Sequence, residues 1–321
     1  MSQYTPRRFH LPEDYCFLGE EKHDVKAYIF SEEAVVAVDV ALATGRPLLV
    51  SGPPGCGKSR LAETMAAVLQ WNFLHQTITS RTRFEQLTVE VDHLRRLNDA
   101  HCAARSEIGQ LERDEQYYNP GIFWWAFNPQ SAIRRGLPED AAVPRVSVAS
   151  TGVIRRPNQE SQHSVLLIDE IDKAEPDLPN DLLEPLDRRT FALPNGQMLS
   201  PAPKQALLTI ITTNLERELP QAFRRRCVSL PLDHPEKEQL VAIARVRDPK
   251  AFEADAELVR RIASKIIELR AEFKETGQRP PGTSEFLDAV HTCDELRIRI
   301  DSAEWQYVEQ ATLRKPLVAS R

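Results

Sequence analysis

The stretch LLVSGPPGCGKSRLAETMA, residues 48–66, decides the fold. It opens with a short apolar run of the kind that forms a buried strand, continues through Gly52-Pro53-Pro54-Gly55-Cys56-Gly57-Lys58-Ser59, and ends in a helical pattern that begins at Arg60. Strand, glycine-rich turn closing on Lys-Ser, and helix together form the context that a phosphate-binding loop requires. The glycines let successive backbone N–H groups turn toward one anion, and the helix N-terminus adds the positive end of its dipole. Lys58 is placed to reach β- and γ-phosphates, and the Ser59 hydroxyl to reach Mg²⁺. Cys56 occupies a variable position of the loop and reads as a tolerated small residue. Gly52 to Ser59, with Arg60 directly after them, are the candidate nucleotide-binding residues.

Working outward, "FLHQTI", "SVLLID" and "ALLTIITT" are further short apolar or β-branched runs bounded by turn residues, with helical patterns between them. This alternation predicts a doubly wound α/β core. "SEEAVVAVDVALATG" reads as a short helix, with Ser31 as N-cap, acidic residues in its first turn and Gly45 at its end. After about residue 232 the pattern becomes almost entirely helical, so the chain divides into an α/β domain (1–232) and a helical domain (233–321). The first domain carries an insertion around 80–163, within which residues 134–163 are polar, proline-containing and aperiodic, as in a long loop.

The chain has 321 residues, 41% of them apolar, and a formal net charge of −6. These are the numbers of an ordinary globular protein, not of a general nucleic-acid coat. Its five cysteines are widely spaced without a CxxC pair, the pattern of reduced cytosolic thiols. The opening residues show no apolar h-region and no apolar run is long enough to span a bilayer, so a cytoplasmic protein with no membrane partner is expected.

Two more segments carry chemistry. "SVLLIDEIDKA" ends an apolar strand in Asp169 and Glu170, at the end of the sheet where open α/β folds bind ligands. Asp169 is the candidate Mg²⁺ partner beside Ser59, and Glu170 the residue that orients and deprotonates a water attacking the γ-phosphate. In isolation the same residues could be a polar strand end. Asp172 reads as a helix-start residue. "LLTIITTNLE" is another buried strand, and the amide of Asn214 at its tail can bridge a γ-phosphate and a water; an Asn-containing turn is the plainer alternative.

These segments resemble the AAA+ ATPases, where they stand as Walker A, Walker B and sensor 1, and within that superfamily the MoxR-like group, related to the dynein-type and McrB-type ATPases. The narrower likeness rests on "LLEPLDRRTFALPNGQMLSPAPKQALLTIITTN", in which a helix precedes a hairpin, Phe191 to Leu199 around Asn195-Gly196, a turn signal in its own right. The resemblance implies a P-loop NTPase parallel sheet with helices on both faces, followed by a small all-α lid domain. It further implies ATP with Mg²⁺, and a homo-oligomeric ring, hexameric by resemblance. In similar proteins an arginine after sensor 1 enters the neighbouring subunit's site. "PQAFRRRCVSL" (220–230) supplies Arg224, Arg225 and Arg226, with Arg226 favoured by position and Arg225 or Arg224 as alternatives. One departure stands out: Ser284-Glu285 occupy the helix start where the family usually carries a sensor 2 arginine, and Arg279 just upstream is the nearest substitute.

The aromatic cluster Phe123, Trp124, Trp125 and Phe127 reads as a buried anchor, with a substrate-gripping loop as its rival. Residues 80–118 read as a charged, largely solvated segment with helical stretches, and a place for partner recognition. His93, His101 and Cys102 come nearest to a metal cluster and read as ordinary surface or core residues. The function expected is a remodelling ATPase acting on a protein client. The alternatives are a nucleotide-gated switch that recruits an effector, and a McrB-type nucleic-acid-linked enzyme, although nucleic acid is not an expected partner.

Overall fold

The structure, a computed structural model, describes residues 5–10, 16–17, 28–105, 113–138, 140–141, 153–155 and 163–314. Much of the predicted 134–163 loop and part of the charged 80–118 segment, like most of the N-terminal stretch, therefore lie outside the described residues.

In chain order, β1 (Cys16–Phe17) and β2 (Tyr28–Ile29) pair antiparallel ahead of α1 (Glu32–Thr44). Ser31 caps α1, accepting from the Ala34 N–H at 3.2 Å, and Gly45 ends it in the left-handed region at φ 68°. Next come β3 (Leu48–Ser51), α2 (Lys58–Leu69) and β4 (Asn72–Thr77). Then follow α3 (Phe84–Leu87), β5 (Val89–Val91), α4 (His93–Arg105), β6 (Tyr118–Pro120), α5 (Ile122–Phe127) and α6 (Pro129–Ile133). Strands β7 (Val153–Arg155) and β8 (Ser164–Asp169) lead to α7 (Leu178–Asp181), α8 (Leu183–Asp187) and the hairpin β9 (Phe191–Ala192) and β10 (Met198–Leu199). The first domain closes with β11 (Leu207–Thr213), α9 (Gln221–Arg226) and β12 (Val228–Pro231).

The main sheet has the order β12-β3-β11-β8-β4-β7, with β7 antiparallel to β4 and the other five strands parallel. Because side chains alternate along a strand, the buried residues split by face. Leu48, Val50, Val165, Leu167, Leu208 and Ile210 pack with α1 and α2, whereas Leu49, Leu166, Ile168 and Ile211 join the aromatic residues of α5. Helices thus cover both faces. Phe123, Trp124, Trp125 and Phe127 are essentially inaccessible, so the aromatic cluster is a buried anchor and not a gripping loop. Trp124 and Phe127 also contact Phe191, tying the hairpin to the core with ring centroids 6.5 and 5.9 Å apart. Sequence reading assigned neither β7 nor β12. Each is a short edge strand whose pairing is decided by the sheet rather than by its own residues.

Residues 232–236 lead into the helical region: α10 (Lys237–Arg247), α11 (Pro249–Ala254), α12 (Ala256–Thr276), α13 (Thr283–Leu296) and α14 (Trp305–Val308), which runs into a π turn. Its own core includes Leu240, Ile262, Ile266, Phe286 and Trp305. Among the described residues no helix is long and apolar enough to cross a membrane.

Candidate active site

The C-terminal ends of β3, β8 and β11 converge on a cleft of ≈ 630 Å³, roofed by α10 and the start of α13. That volume falls within the range of small-molecule sites, about 300–1,000 Å³. The loop after β3 forms its floor. Gly52 approaches the chain so closely that a Cβ there would lie 2.0 Å from the Leu232 carbonyl oxygen. Lys58 is buried at the start of α2, and its ammonium donates to the carbonyls of Gly52 and Pro53 at 2.7 and 2.9 Å. An ammonium has three protons, so the same group can cross-brace the loop and still face an anion. Cys56 is buried, and burial raises its thiol above the ordinary range, as suits a packing residue.

Ser59 and Asp169 meet, with the hydroxyl 3.0 Å from each carboxylate oxygen. A hydroxyl and a carboxylate side by side are hard oxygen donors of the kind that Mg²⁺ takes alongside phosphate oxygens and water, so the residues present fit that ion. Burial alone would raise the Asp169 carboxyl. Hydrogen bonds from His75, Thr212 and Ser59 outweigh it and hold the group below its ordinary value, ionised at neutral pH. His75 on β4 lies 3.5 Å from the second oxygen and Thr212 on β11 bonds the first; sequence reading gave neither residue a role at this carboxylate.

Glu170 adopts left-handed backbone geometry, φ 60°, uncommon for a residue with a Cβ. Its N–H donates to Thr212 Oγ1 at 2.9 Å, which holds the turn. The carboxylate is flanked by Asn214 Nδ2 at 3.4 Å and by Lys173 Nζ at 3.3 Å. Strain of this kind, about 1–3 kcal/mol, persists only where the surroundings over-determine it, and it gathers at functional sites. The structure brings Glu170 and Asn214 together at the cleft.

Asp172 stands at a helix start, as read from the sequence, but as a residue of the first turn and not as its cap, and it has a further part that the sequence did not show. It is buried within a one-turn 3₁₀ helix (Ile171–Lys173), and its Oδ2 accepts from the backbone N–H groups of Asn214 and Glu216 at 3.1 and 3.0 Å. Its carboxylate fixes the turn that carries Asn214. Signals separated so far along the chain leave no trace in a local pattern.

The three arginines lie on α9, outside the lining of their own cleft. Arg224 pairs with Glu218 at 3.1 Å, and Arg226 lies 3.5 Å from Asp187 while donating to its own helix at the Ala222 carbonyl. Arg225 is exposed, and its guanidinium has no hydrogen-bond or ion-pair partner among the described residues. Arg46 bonds the carbonyls of Arg225 and Arg226, satisfying the end of α9. Arg279 is exposed and not part of the cleft lining, so it does not stand in at the lid. The lid instead touches the loop by backbone: Thr283 N–H donates to the Gly55 carbonyl at 3.2 Å, and a Cβ on Gly282 would meet the Gly55 Cα at 3.2 Å. His93, His101 and Cys102 are exposed on α4, and among the described residues no group of three or more His, Cys, Asp or Glu could hold a metal ion.

A parallel core sheet with helices on both faces, a Lys-Ser loop between its strand and helix, and paired acids at the end of β8, with β11 between it and β3, define a P-loop nucleotide-binding protein. Residues 47–227 match the AAA domain of the dynein-related subfamily, and the chain belongs to that family of ATPases. No curated protein matches the chain.

Proposed function

We propose that the protein is an ATP-hydrolysing AAA+ enzyme of the MoxR-like group, working in the cytoplasm as a homo-oligomeric ring, most simply a hexamer, that remodels or activates a partner protein. The observation that carries this reading is the convergence of Lys58, Ser59, Asp169, Glu170 and Asn214 on one cleft. The hairpin between Phe191 and Leu199, packed on the aromatic anchor, supports the narrower placement.

In this reading Lys58 and the N–H groups of the loop hold the β- and γ-phosphates, while Ser59 and Asp169 hold Mg²⁺. The ion, when bound, supplies neutralisation of phosphate charge. Glu170 accepts a proton from the attacking water, and Asn214 holds the Glu170 carboxylate in place and offers an amide to the water or γ-phosphate. The cation that completes the charge balance comes from α9 of a neighbouring copy, through Arg226 or Arg225. Such a residue is worth about 10³–10⁵ in rate in other phosphoryl-transfer enzymes.

The test is turnover against protein concentration, repeated for Glu170→Gln mixed with Arg226→Ala or with Arg225→Ala. Each variant alone is expected to be nearly inactive, and mixing to restore part of the rate through composite sites. A concentration-independent wild-type rate without rescue in either mixture would exclude a shared site.

A further inference from the structure

The cleft contains a cation that the phosphate loop does not use. Arg247, the last residue of α10, lines the cleft, as does Arg60 on α2. Arg60 is ion-paired to Glu63 one turn along. Arg247 is only partly exposed and makes no hydrogen bond or ion pair with any described residue. Its guanidinium has therefore given up part of its hydration without a direct ion pair in exchange, a costly state that an anion in the cleft would relieve. Burial makes its charged form less favourable, Arg60 adds like-charge repulsion, and Glu63 offsets part of both.

At this corner of the cleft two guanidiniums, Arg60 and Arg247, face the one carboxylate of Glu63, whereas the acids that line the cleft, among them Asp169, Glu170 and Asp233, lie on other elements. Among the described lid residues that line the cleft, Arg247 is the one permanent cation. Ile243, one helical turn before it, and Val246, three residues after Ile243, line the same cleft and are apolar. A ligand lying along this face of α10 would meet an apolar strip ending in a planar cationic fork. That order, apolar body then anion, is the order of a nucleotide read from base to phosphate.

We propose that Arg247 is a phosphate-binding residue of the lid, gripping the nucleotide from α10 on the phosphates next to the ribose, and so making lid position depend on occupancy. This rests on the cleft being a nucleotide site. A guanidinium–phosphate bond is charge-assisted and bidentate, so its removal weakens binding about 10- to 100-fold. Lysine offers only a point charge and recovers part of the loss.

The experiment measures affinities of ATP, ADP and adenosine for wild type, Arg247→Ala, Arg247→Lys, Arg279→Ala and Lys58→Ala, with thermal melting of each without nucleotide. If Arg247→Ala does not fold, Arg247→Gln takes its place. The expected result is a 10- to 100-fold loss for ATP and ADP in Arg247→Ala, little change for adenosine, partial recovery with lysine and no effect at Arg279. Wild-type affinities in Arg247→Ala, with binding lost in Lys58→Ala, overturn the role of Arg247 and leave the site standing. An equal loss for adenosine assigns Arg247 to packing and also overturns the role. Unchanged binding in Lys58→Ala overturns the nucleotide reading itself, and the proposal with it.

Discussion

Replacing Asp172 by alanine tests how the catalytic turn is held. Asp172 is 3% exposed, and its carboxylate accepts two backbone N–H groups, from Asn214 and Glu216, through one oxygen. Hydrogen bonds to a charged group are worth about 1.5–3 kcal/mol each. Its other oxygen is buried without a partner, which subtracts from that gain. The net loss on truncation is about 2–4 kcal/mol, which at about 2–4 °C per kcal/mol for a domain of this size lowers the melting temperature by roughly 5–15 °C. Asp172→Asn keeps an acceptor oxygen and should cost only about 1 kcal/mol. Thermal melting gives the energies, and amide hydrogen exchange locates them: the N–H groups of Asn214 and Glu216 should exchange faster in the alanine variant, and turnover should fall as Asn214 loses its place beside Glu170. Melting within 1 °C of wild type, with exchange at both amides unchanged, would refute the idea that this carboxylate holds the turn.

Two further substitutions, at Gly52 and His234, probe the surroundings of the cleft, with Gly196 in the hairpin turn as a reference for the first. Gly52→Ala would place a Cβ 2.0 Å from a backbone oxygen and should lower stability by about 3 kcal/mol or more, whereas Gly196→Ala, at φ 83° with nothing within 4 Å, should cost about 1–2 kcal/mol; chemical denaturation of both distinguishes a steric from a purely conformational cost. His234 faces Arg270, Asp233, Glu285 and Lys58, and burial with the nearby cations lowers its pKa to about 4, below the unfolded value of about 6.5. Between these values the unfolded chain binds more protons, so stability falls as pH drops from 6.5 toward 4. Discounted for partial exposure, the loss is on the order of 1–2 kcal/mol, and His234→Gln should flatten that part of a stability-against-pH profile.

What could be read from the sequence is local. The β3–loop–α2 unit, the acids after β8 and the asparagine after β11 each occupy one continuous stretch in which residue type and spacing agree. Capping at Ser31 and Gly45, and the Asn195-Gly196 hairpin, are legible for the same reason. Hidden features are contacts between such stretches. His75 reaches Asp169 only because β4 lies beside β8, and Asp172 reaches the Asn214 turn only because β8 lies beside β11. Arg247 looks like any cation in the last turn of a helix until the lid is seen above the phosphate loop. Arg279 misled for the converse reason: nearness along the chain to Ser284 did not bring it to the cleft.

Where α13 begins, one peptide N–H rests on the Gly55 carbonyl and two glycine Cα atoms face each other, while Arg270 clasps the carbonyls of Pro235 and Pro281 on either side of the same helical domain. At this point the roof and the phosphate loop meet through main chain on both sides. Trimming side chains at the two glycines cannot loosen this contact, because there are none to trim; only bulk added there would force the two segments apart.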